Sequence, residues 1–267
     1  MKEKQNARVA SARQLAPGIY EMWIETSLAK EAHPGQFIGV YTGDASKLLP
    51  RPISICEVAE NALRIVYRVT GPGTGTELIA RMHAGDPVDI LGILGNGYDL
   101  TTAVGREVFV IGGGIGVPPM LELARSLYEQ NKTLPEAERA RIQIVVGYRD
   151  GNLFLKEDLE KYGEVYIATE DGSFGTKGNV LDAIRKQGLH ADILYSCGPL
   201  PMLRALKKYA EEQGIPAYIS LEERMACGVG ACLGCVVKTP HVDHHSHVNN
   251  ARICTDGPVF NAEEVLI

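Results

Sequence analysis

The sequence predicts a multi-domain chain of the β plus α/β class: an antiparallel β-barrel over residues 1–101, a five-stranded parallel α/β domain over 102–220 and a small C-terminal domain over 221–267. Three observations carry this expectation. Up to about residue 100, apolar residues come in short alternating runs broken by Gly and Pro, as half-buried strands do. From about residue 102, continuous apolar runs alternate with helical stretches, the pattern of parallel α/β units. Four of the six cysteines then fall between Cys227 and the end of the chain, where neither periodicity continues.

In the first segment Ile19-Tyr20-Glu21-Met22-Trp23-Ile24 alternates, and Gln36 to Tyr41, Ile53 to Val58 and Leu63 to Val69 are further strand runs. Several such strands at close spacing make a small barrel or sandwich. One helix interrupts them, from Gly75 to Met82, with Thr74 or Thr76 as its N-cap. In the second segment Glu107-Val108-Phe109-Val110-Ile111 is a buried strand, followed by Gly112-Gly113-Gly114 and a helix from Pro118 to Glu129. Strands follow at Ile142 to Val146, Val165 to Ala168, Asp192 to Ser196 and Ala217 to Ser220. Helices at Lys156 to Lys161, Val180 to Lys186 and Leu200 to Gln213 separate them, which places helices on both faces of one sheet.

Composition narrows the function classes. Apolar residues at 45% and charged residues at 22% are ordinary globular usage, which excludes a disordered or collagen-like chain. The net charge of −6 gives no global attraction to phosphate backbones, so nucleic acid is not an expected partner. No run approaches the roughly 18 apolar residues of a membrane span. Met1-Lys2-Glu3-Lys4-Gln5-Asn6 leads into no apolar signal core, so the expected compartment is the cytoplasm and no membrane insertion is expected.

Clustered cysteines in such a chain favour metal ligation over disulfides. The spacing is Cys227-x4-Cys232-x2-Cys235, then 18 intervening residues, then Cys254, the plant-type [2Fe-2S] pattern. Gly228, Gly230 and Gly234 let such a loop bring backbone N–H groups toward inorganic sulfur. The main alternative is a four-cysteine zinc site, although zinc sites usually pair their cysteines as CxxC and CxxC. Cys56 and Cys197 stand apart in apolar surroundings. The run His241-Val242-Asp243-His244-His245-Ser246-His247 is read as a solvated loop, since its spacing fits no helix face or finger.

Two strand-to-helix turns suggest a dinucleotide. Gly112-Gly113-Gly114-Ile115-Gly116 lets backbone N–H groups approach a pyrophosphate, although Val117-Pro118-Pro119 stands where a third spaced glycine would be. Cys197-Gly198-Pro199 ends another strand at the carboxyl edge of the sheet, where open α/β sheets bind ligands. Cys197 is there expected to lie beside a nicotinamide and tune hydride transfer. Glu170 and Asp171 end a third strand on the same edge, where a carboxylate accepts from a ribose hydroxyl and repels a 2′-phosphate, which favours NAD; Arg149 is the counter-indication. In the barrel, Arg51-Pro52-Ile53-Ser54 starts a strand, Arg68-Val69-Thr70 ends one, and Gly75-Thr76 opens the helix, a grouping suited to a second dinucleotide.

These motifs occur in the order found in the ferredoxin–NADP reductase superfamily. The tail Glu223-Arg224-Met225-Ala226-Cys227-Gly228-Val229-Gly230-Ala231-Cys232-Leu233-Gly234-Cys235, with Cys254-Thr255-Asp256-Gly257-Pro258-Val259-Phe260, resembles one branch of it, the electron-transfer subunits of NAD-dependent, type B dihydroorotate dehydrogenase. The resemblance implies an FAD-binding barrel, an NAD-binding α/β domain and a [2Fe-2S] domain. It implies that Arg51 and Ser54 meet FAD, that Arg68 to Thr70 line its ring and ribityl chain, and that Gly75 and Thr76 hold its pyrophosphate. The implied partner is an FMN-containing dihydroorotate dehydrogenase catalytic subunit in a heterotetramer of two of each chain, in pyrimidine biosynthesis. Two other readings compete: an NAD(P)H–ferredoxin oxidoreductase subunit with another redox partner, against which Cys227 argues, and a zinc-stabilised nucleotide-binding regulator.

Overall fold

The computed structural model describes residues 3–242 and 247–267. Six strands close into an antiparallel barrel: β1 (Glu3–Ala16), β2 (Ile19–Glu25), β3 (Phe37–Val40), β4 (Arg51–Val58), β5 (Ala62–Arg68) and β6 (Pro87–Leu94), in the order β1-β2-β5-β4-β3-β6. Strand alternation builds it. In β6, Val88, Ile90 and Leu94 are buried while Pro87 and Asp89 are not. β1 went unseen as a strand because its residues are mostly polar: only Ala7 and Val9 are buried, although it pairs with both β2 and β6.

The helix of this segment, α1 (Gly75–Ala80), starts where expected and is shorter. Neither threonine caps it. Thr74 occupies the N-cap position but donates its hydroxyl back to Gly71 O at 2.7 Å, and Thr76 lies inside the first turn.

The second segment forms the expected parallel sheet, and two more strands extend it. Its order is β10 (Thr176–Lys177), β9 (Glu164–Thr169), β8 (Arg141–Tyr148), β7 (Glu107–Gly113), β11 (Ile193–Cys197), β12 (Ala217–Ser220) and β15 (Val259–Asn261). The five expected strands run parallel. Short β10 joins them parallel, whereas β15 comes from the cysteine-rich tail and pairs antiparallel with β12. The tail also forms a hairpin of β13 (Val236–Lys238) and β14 (Asn250–Arg252).

Both faces of the sheet are covered. On one, α2 (Val117–Thr133) and α3 (Lys156–Leu159) pack on Val108, Val110, Ile144 and Val146, and the same apolar cluster takes in Cys56 and Val66 from the barrel. On the other, α4 (Val180–Gln187) and α5 (Leu200–Gln213) cover Phe109, Ile111, Val145 and Leu194 together with Ile253, Cys254 and Phe260 of the tail. The α/β core is thus continuous with both neighbours. The ligand edge of the sheet is correspondingly held between barrel and tail.

Candidate functional site

The first part of the site is the barrel wall that faces the α/β domain. Alternation in β4 sends Ile53 and Ile55 into the barrel core, and Pro52, Ser54 and Cys56 outward. Ile53 therefore offers a ligand only its backbone. The Arg51 guanidinium, held by the Leu49 carbonyl, lies across the backbone of Gly75, where any side chain would collide with it. Thr76 Oγ1 accepts from Thr70 N–H at 3.2 Å, and Glu77 accepts from Gly73 N–H at 2.6 Å. Arg68, Val69, Thr70, Gly75 and Thr76 are thereby gathered beside Arg51.

The second part is the carboxyl edge of the sheet. β7 ends in Gly112-Gly113, Gly114 takes φ +54°, and Val117-Pro118-Pro119 opens α2, a position where proline's missing N–H costs nothing. Cys197 pairs opposite Gly112, so the two turns lie side by side. They also interlock: a Cβ at Gly113 would lie 2.5 Å from Met202 Sδ, and one at Gly116 would overlap the Cys197 carbonyl and Gly198 Cα. The departure from spaced glycines thus leaves a turn in which neighbours crowd Gly112, Gly113 and Gly116, while Gly114 is favoured by its positive φ.

Cys197 is fully buried, and its thiol is pushed up by that burial and by Glu222, with the Ser220 hydroxyl opposing. A thiol so placed stays neutral and is no nucleophile at neutral pH. Glu170 and Asp171 are exposed beyond β9. They differ in freedom. Asp171 accepts from Ser173 N–H (2.9 Å) and Oγ–H (2.7 Å), bonds that hold its carboxyl below the usual range.

The third part is the cysteine loop. Gly228 and Gly230 take φ +68° and +81°. Val229 N–H points at Cys227 Sγ from 3.5 Å; this contact, joined by the amides of Cys232 and Ala231, holds the thiol down to about 6 against its desolvation. Cys254 is instead raised to about 11, first by burial and then by the Cys235 thiol beside it, while Gly230 N–H opposes. Register in the β13–β14 hairpin sets Cys235 beside Ile253, whose N–H donates to Cys235 O at 2.8 Å. Cys232 acts on the Cys227 thiol, and both Cys235 and Cys227 act on that of Cys254, which makes the four thiols neighbours. Among the described residues no three His, Cys, Asp or Glu side chains converge on one ion's position. Three thiols of one loop and a fourth from beyond β14, with amides turned toward the sulfurs, fit a compact anionic two-iron core. Cys56 and Cys197 lie elsewhere, in β4 and β11. Residues 243–246 of the histidine-rich run lie outside the described residues, and His241 and His247 are exposed.

Comparison with known proteins bears on the whole chain. The family model "Iron-sulfur cluster binding domain of dihydroorotate dehydrogenase B" matches residues 222–266, and "Oxidoreductase NAD-binding domain" matches 110–208. The dihydroorotate dehydrogenase B (NAD(+)) electron transfer subunit of Geobacillus sp. (strain WCH70) is 39% identical over 271 residues, covering 100% of both chains. That of Bacillus cereus (strain B4264) is 42% identical over 274 residues, again covering 100% of both. This chain belongs to the family of dihydroorotate dehydrogenase B electron transfer subunits. Among solved structures, that of an NADH-dependent reduced ferredoxin-NADP oxidoreductase aligns with TM-score 0.83 and 28% identity over 97% of this chain and 89% of that one. A ferredoxin NADP+ reductase from Neisseria gonorrhoeae, at TM-score 0.66 and 15% identity over 83% of this chain and 94% of that one, shares the fold alone.

In this chain the parts are joined by contacts that the sequence reading did not show, two of them through residues it did not single out, Glu222 and Tyr98. Arg68 Nη2 lies 3.5 Å from the Cβ position of Gly114, joining the barrel motif to the glycine turn. Glu222, two residues beyond β12, keeps an exposed surface, yet desolvation by its surroundings pushes its carboxyl up, and Arg68 opposes that shift. Tyr98, on the connection out of the barrel, donates its hydroxyl to Ser196 O at 2.9 Å. The available signals were an acid two residues beyond a buried strand and an aromatic directly after a Gly-x-Gly turn.

Proposed function

We propose that this electron transfer subunit carries electrons from an FMN-containing catalytic subunit to NAD+, in the cytoplasmic oxidation of dihydroorotate to orotate for pyrimidine biosynthesis, within a heterotetramer of two of each chain. The proposed units are an FAD-binding domain (1–101), an NAD-binding domain (102–220) and a [2Fe-2S] domain (221–267). The carrying observation is the junction where Arg68 of the barrel meets Gly114 of the α/β turn while β15 ties the cysteine-rich tail to the same sheet.

A flavin exchanges electrons in pairs with a nicotinamide and singly with an iron–sulfur cluster, which is the chemistry the bound groups supply. The chain's own residues bind and orient. Arg51 and Arg68 offer guanidinium donors to FAD, Ser54 a hydroxyl, Gly75 and Thr76 backbone N–H groups for the pyrophosphate. Gly112, Gly113, Gly114, Gly116, Gly198 and Pro199 form the shallow interlocked floor for NAD, and Glu170 and Asp171 meet its ribose. Cys197, neutral and buried, packs beside the nicotinamide without forming a bond to it. Cys227, Cys232, Cys235 and Cys254 hold the cluster. Among the described residues no helix is long and apolar enough to cross a membrane.

The test uses the anaerobically purified chain. It should contain about two irons and two sulfides, as that cluster type requires, pass electrons from NADH to ferricyanide, and show no flavin reduction by dihydroorotate. Adding the FMN-containing subunit should restore dihydroorotate-dependent NAD+ reduction. Flavin reduction by dihydroorotate in the isolated chain, or stoichiometric zinc without sulfide, would overturn the assignment.

A further inference from the structure

The four residues that follow β6, Gly95-Asn96-Gly97-Tyr98, run through the point where all three segments of the chain meet. Asn96 Nδ2 donates to the carbonyl oxygens of Thr255 (3.0 Å) and Asp256 (3.1 Å), and Asn96 N–H donates to Gly257 O at 2.6 Å. The approach is close enough that a Cβ at Gly95, where φ is +75°, would lie 2.5 Å from Pro258 Cδ. Asn96 therefore grips the turn that begins directly after Cys254. Leu94 supports the other half of the cysteine loop, its Cδ1 lying 3.3 Å from the Cβ position of Gly228, next to Cys227.

Two residues further on, Tyr98 faces the opposite way. Its N–H donates to Pro34 O at 2.9 Å, its hydroxyl donates to Ser196 O at 2.9 Å, and its ring stands edge-on to Tyr195. Ser196 directly precedes Cys197, which pairs with Ser220 across β11 and β12. One short connection thus touches both cysteine segments of the loop, the barrel, and the strand end expected to meet nicotinamide.

We infer that Leu94 to Tyr98 is a positioning element for electron transfer, fixing the four-cysteine loop against the barrel and the sheet edge, with Asn96 as its grip; this rests on the cluster reading above. Electron transfer between two centres falls steeply with their separation, so a loop free to shift would pass electrons more slowly. Both side-chain partners of Asn96 are carbonyl oxygens. Only a donor serves there, and an aspartate of the same shape would turn oxygens against oxygens. Asn96 is itself solvent-exposed, so its replacement leaves the core intact.

The test compares the wild-type chain with Asn96→Asp and Asn96→Ala, each loaded with FAD, iron and sulfide. Both variants should match wild type in iron content, melting temperature and NADH–ferricyanide rate. Asn96→Asp should release iron to a ferrous chelator roughly tenfold faster, the scale of losing one to two hydrogen bonds. It should also slow bleaching of the cluster by NADH and shift the g-values of the reduced cluster, which a merely structural residue would not do. Loaded variants identical to wild type in iron release, bleaching and g-values would overturn the positioning role alone. A wild-type chain that takes up no iron and sulfide would overturn the cluster reading and this inference with it.

Discussion

Arg64 of β5 and Asp158 of α3 meet at 3.0 Å across the boundary between barrel and α/β domain. The same guanidinium reaches Glu57 at 2.9 Å and Glu21 through Nε at 2.6 Å, and only 6% of the Arg64 side chain is exposed. One guanidinium thus bridges three carboxylates at the wall between the proposed FAD and NAD units. A second tie runs in parallel, with Val58 N–H donating to the buried Glu122 of α2 at 2.9 Å. Replacing Arg64 by Met keeps the stem but strips the buried Glu21 of its buried cation, leaving it only the exposed Arg13, which costs roughly 3–5 kcal/mol for a buried pair broken on one side. The urea midpoint of Arg64→Met should fall accordingly, and far more than that of Arg81→Met, whose pair with Glu77 is exposed on the Arg side.

The same contact makes stability depend on pH. Burial alone would raise the Asp158 carboxyl, but hydrogen bonds from Lys161 and Arg64 outweigh it and hold the group below its ordinary value. A lowered native pKa means that the unfolded chain binds more protons as the carboxyl titrates. The stabilisation is then present above the unfolded value near 4 and is lost as pH falls through the native one. Urea midpoints measured from pH 6 down to pH 3 should decline, and Asp158→Asn should flatten the acid end of that decline. Parallel curves would show that Asp158 is not part of it.

Gly116 offers a test of the interlocked turns. A methyl there would overlap the Cys197 carbonyl, and backbone atoms cannot move aside as a flexible side chain can. Gly116→Ala should raise KM for NADH roughly tenfold, the factor that about 1.4 kcal/mol of lost positioning produces, while bound FAD and iron stay at wild-type levels. An unchanged KM would mean that the dinucleotide does not use this turn.

The fold was legible where periodicity is clear: continuous burial in β7 is the direct consequence of two-sided packing, while in β2 the alternation is broken where Glu21 is buried beside Met22. β1 was hidden, since a strand whose outer face meets water carries little apolar signal. Thr74 misled for a local reason, its hydroxyl finding Gly71 O before the helix amides. At the candidate site, the cysteine spacing was readable because ligands of one cluster must lie close in one loop. Glu222 and Tyr98 were not, because their meaning comes from Arg68 and Ser196, partners more than ninety residues away that only the folded chain brings near.

Selection of NADH over NADPH should rest more on Glu170 than on Asp171. Asp171 commits one carboxylate oxygen to Ser173, whereas no side-chain hydrogen bond of Glu170 is present among the described residues. Glu170→Gln should narrow the NADH to NADPH ratio of kcat/KM roughly tenfold, about the worth of one charge-assisted hydrogen bond. Asp171→Asn should narrow it less. Equal ratios for wild type and both variants would remove the acidic pair from the specificity determinants.

The two kinds of cysteine should separate cleanly. Cys254 sits where the four thiols are neighbours, while Cys197 is buried at the sheet edge with its proton held. Cys254→Ser should lower iron and sulfide content and abolish dihydroorotate-dependent NAD+ reduction in the presence of the partner subunit, because that path alone must cross the cluster. The NADH–dye rate should persist, because the barrel and the glycine turns are untouched. Cys197→Ala should do the reverse, keeping FAD, iron and sulfide while slowing stopped-flow reduction of the flavin by NADH. Removing a thiol that only packs against the ring disturbs near-attack geometry and not composition. If Cys197→Ala reduced its flavin at the wild-type rate, the thiol would be a core residue of β11 and nothing more. If Cys254→Ser kept both its cluster and its coupled rate, the fourth ligand would have to be sought elsewhere in the chain.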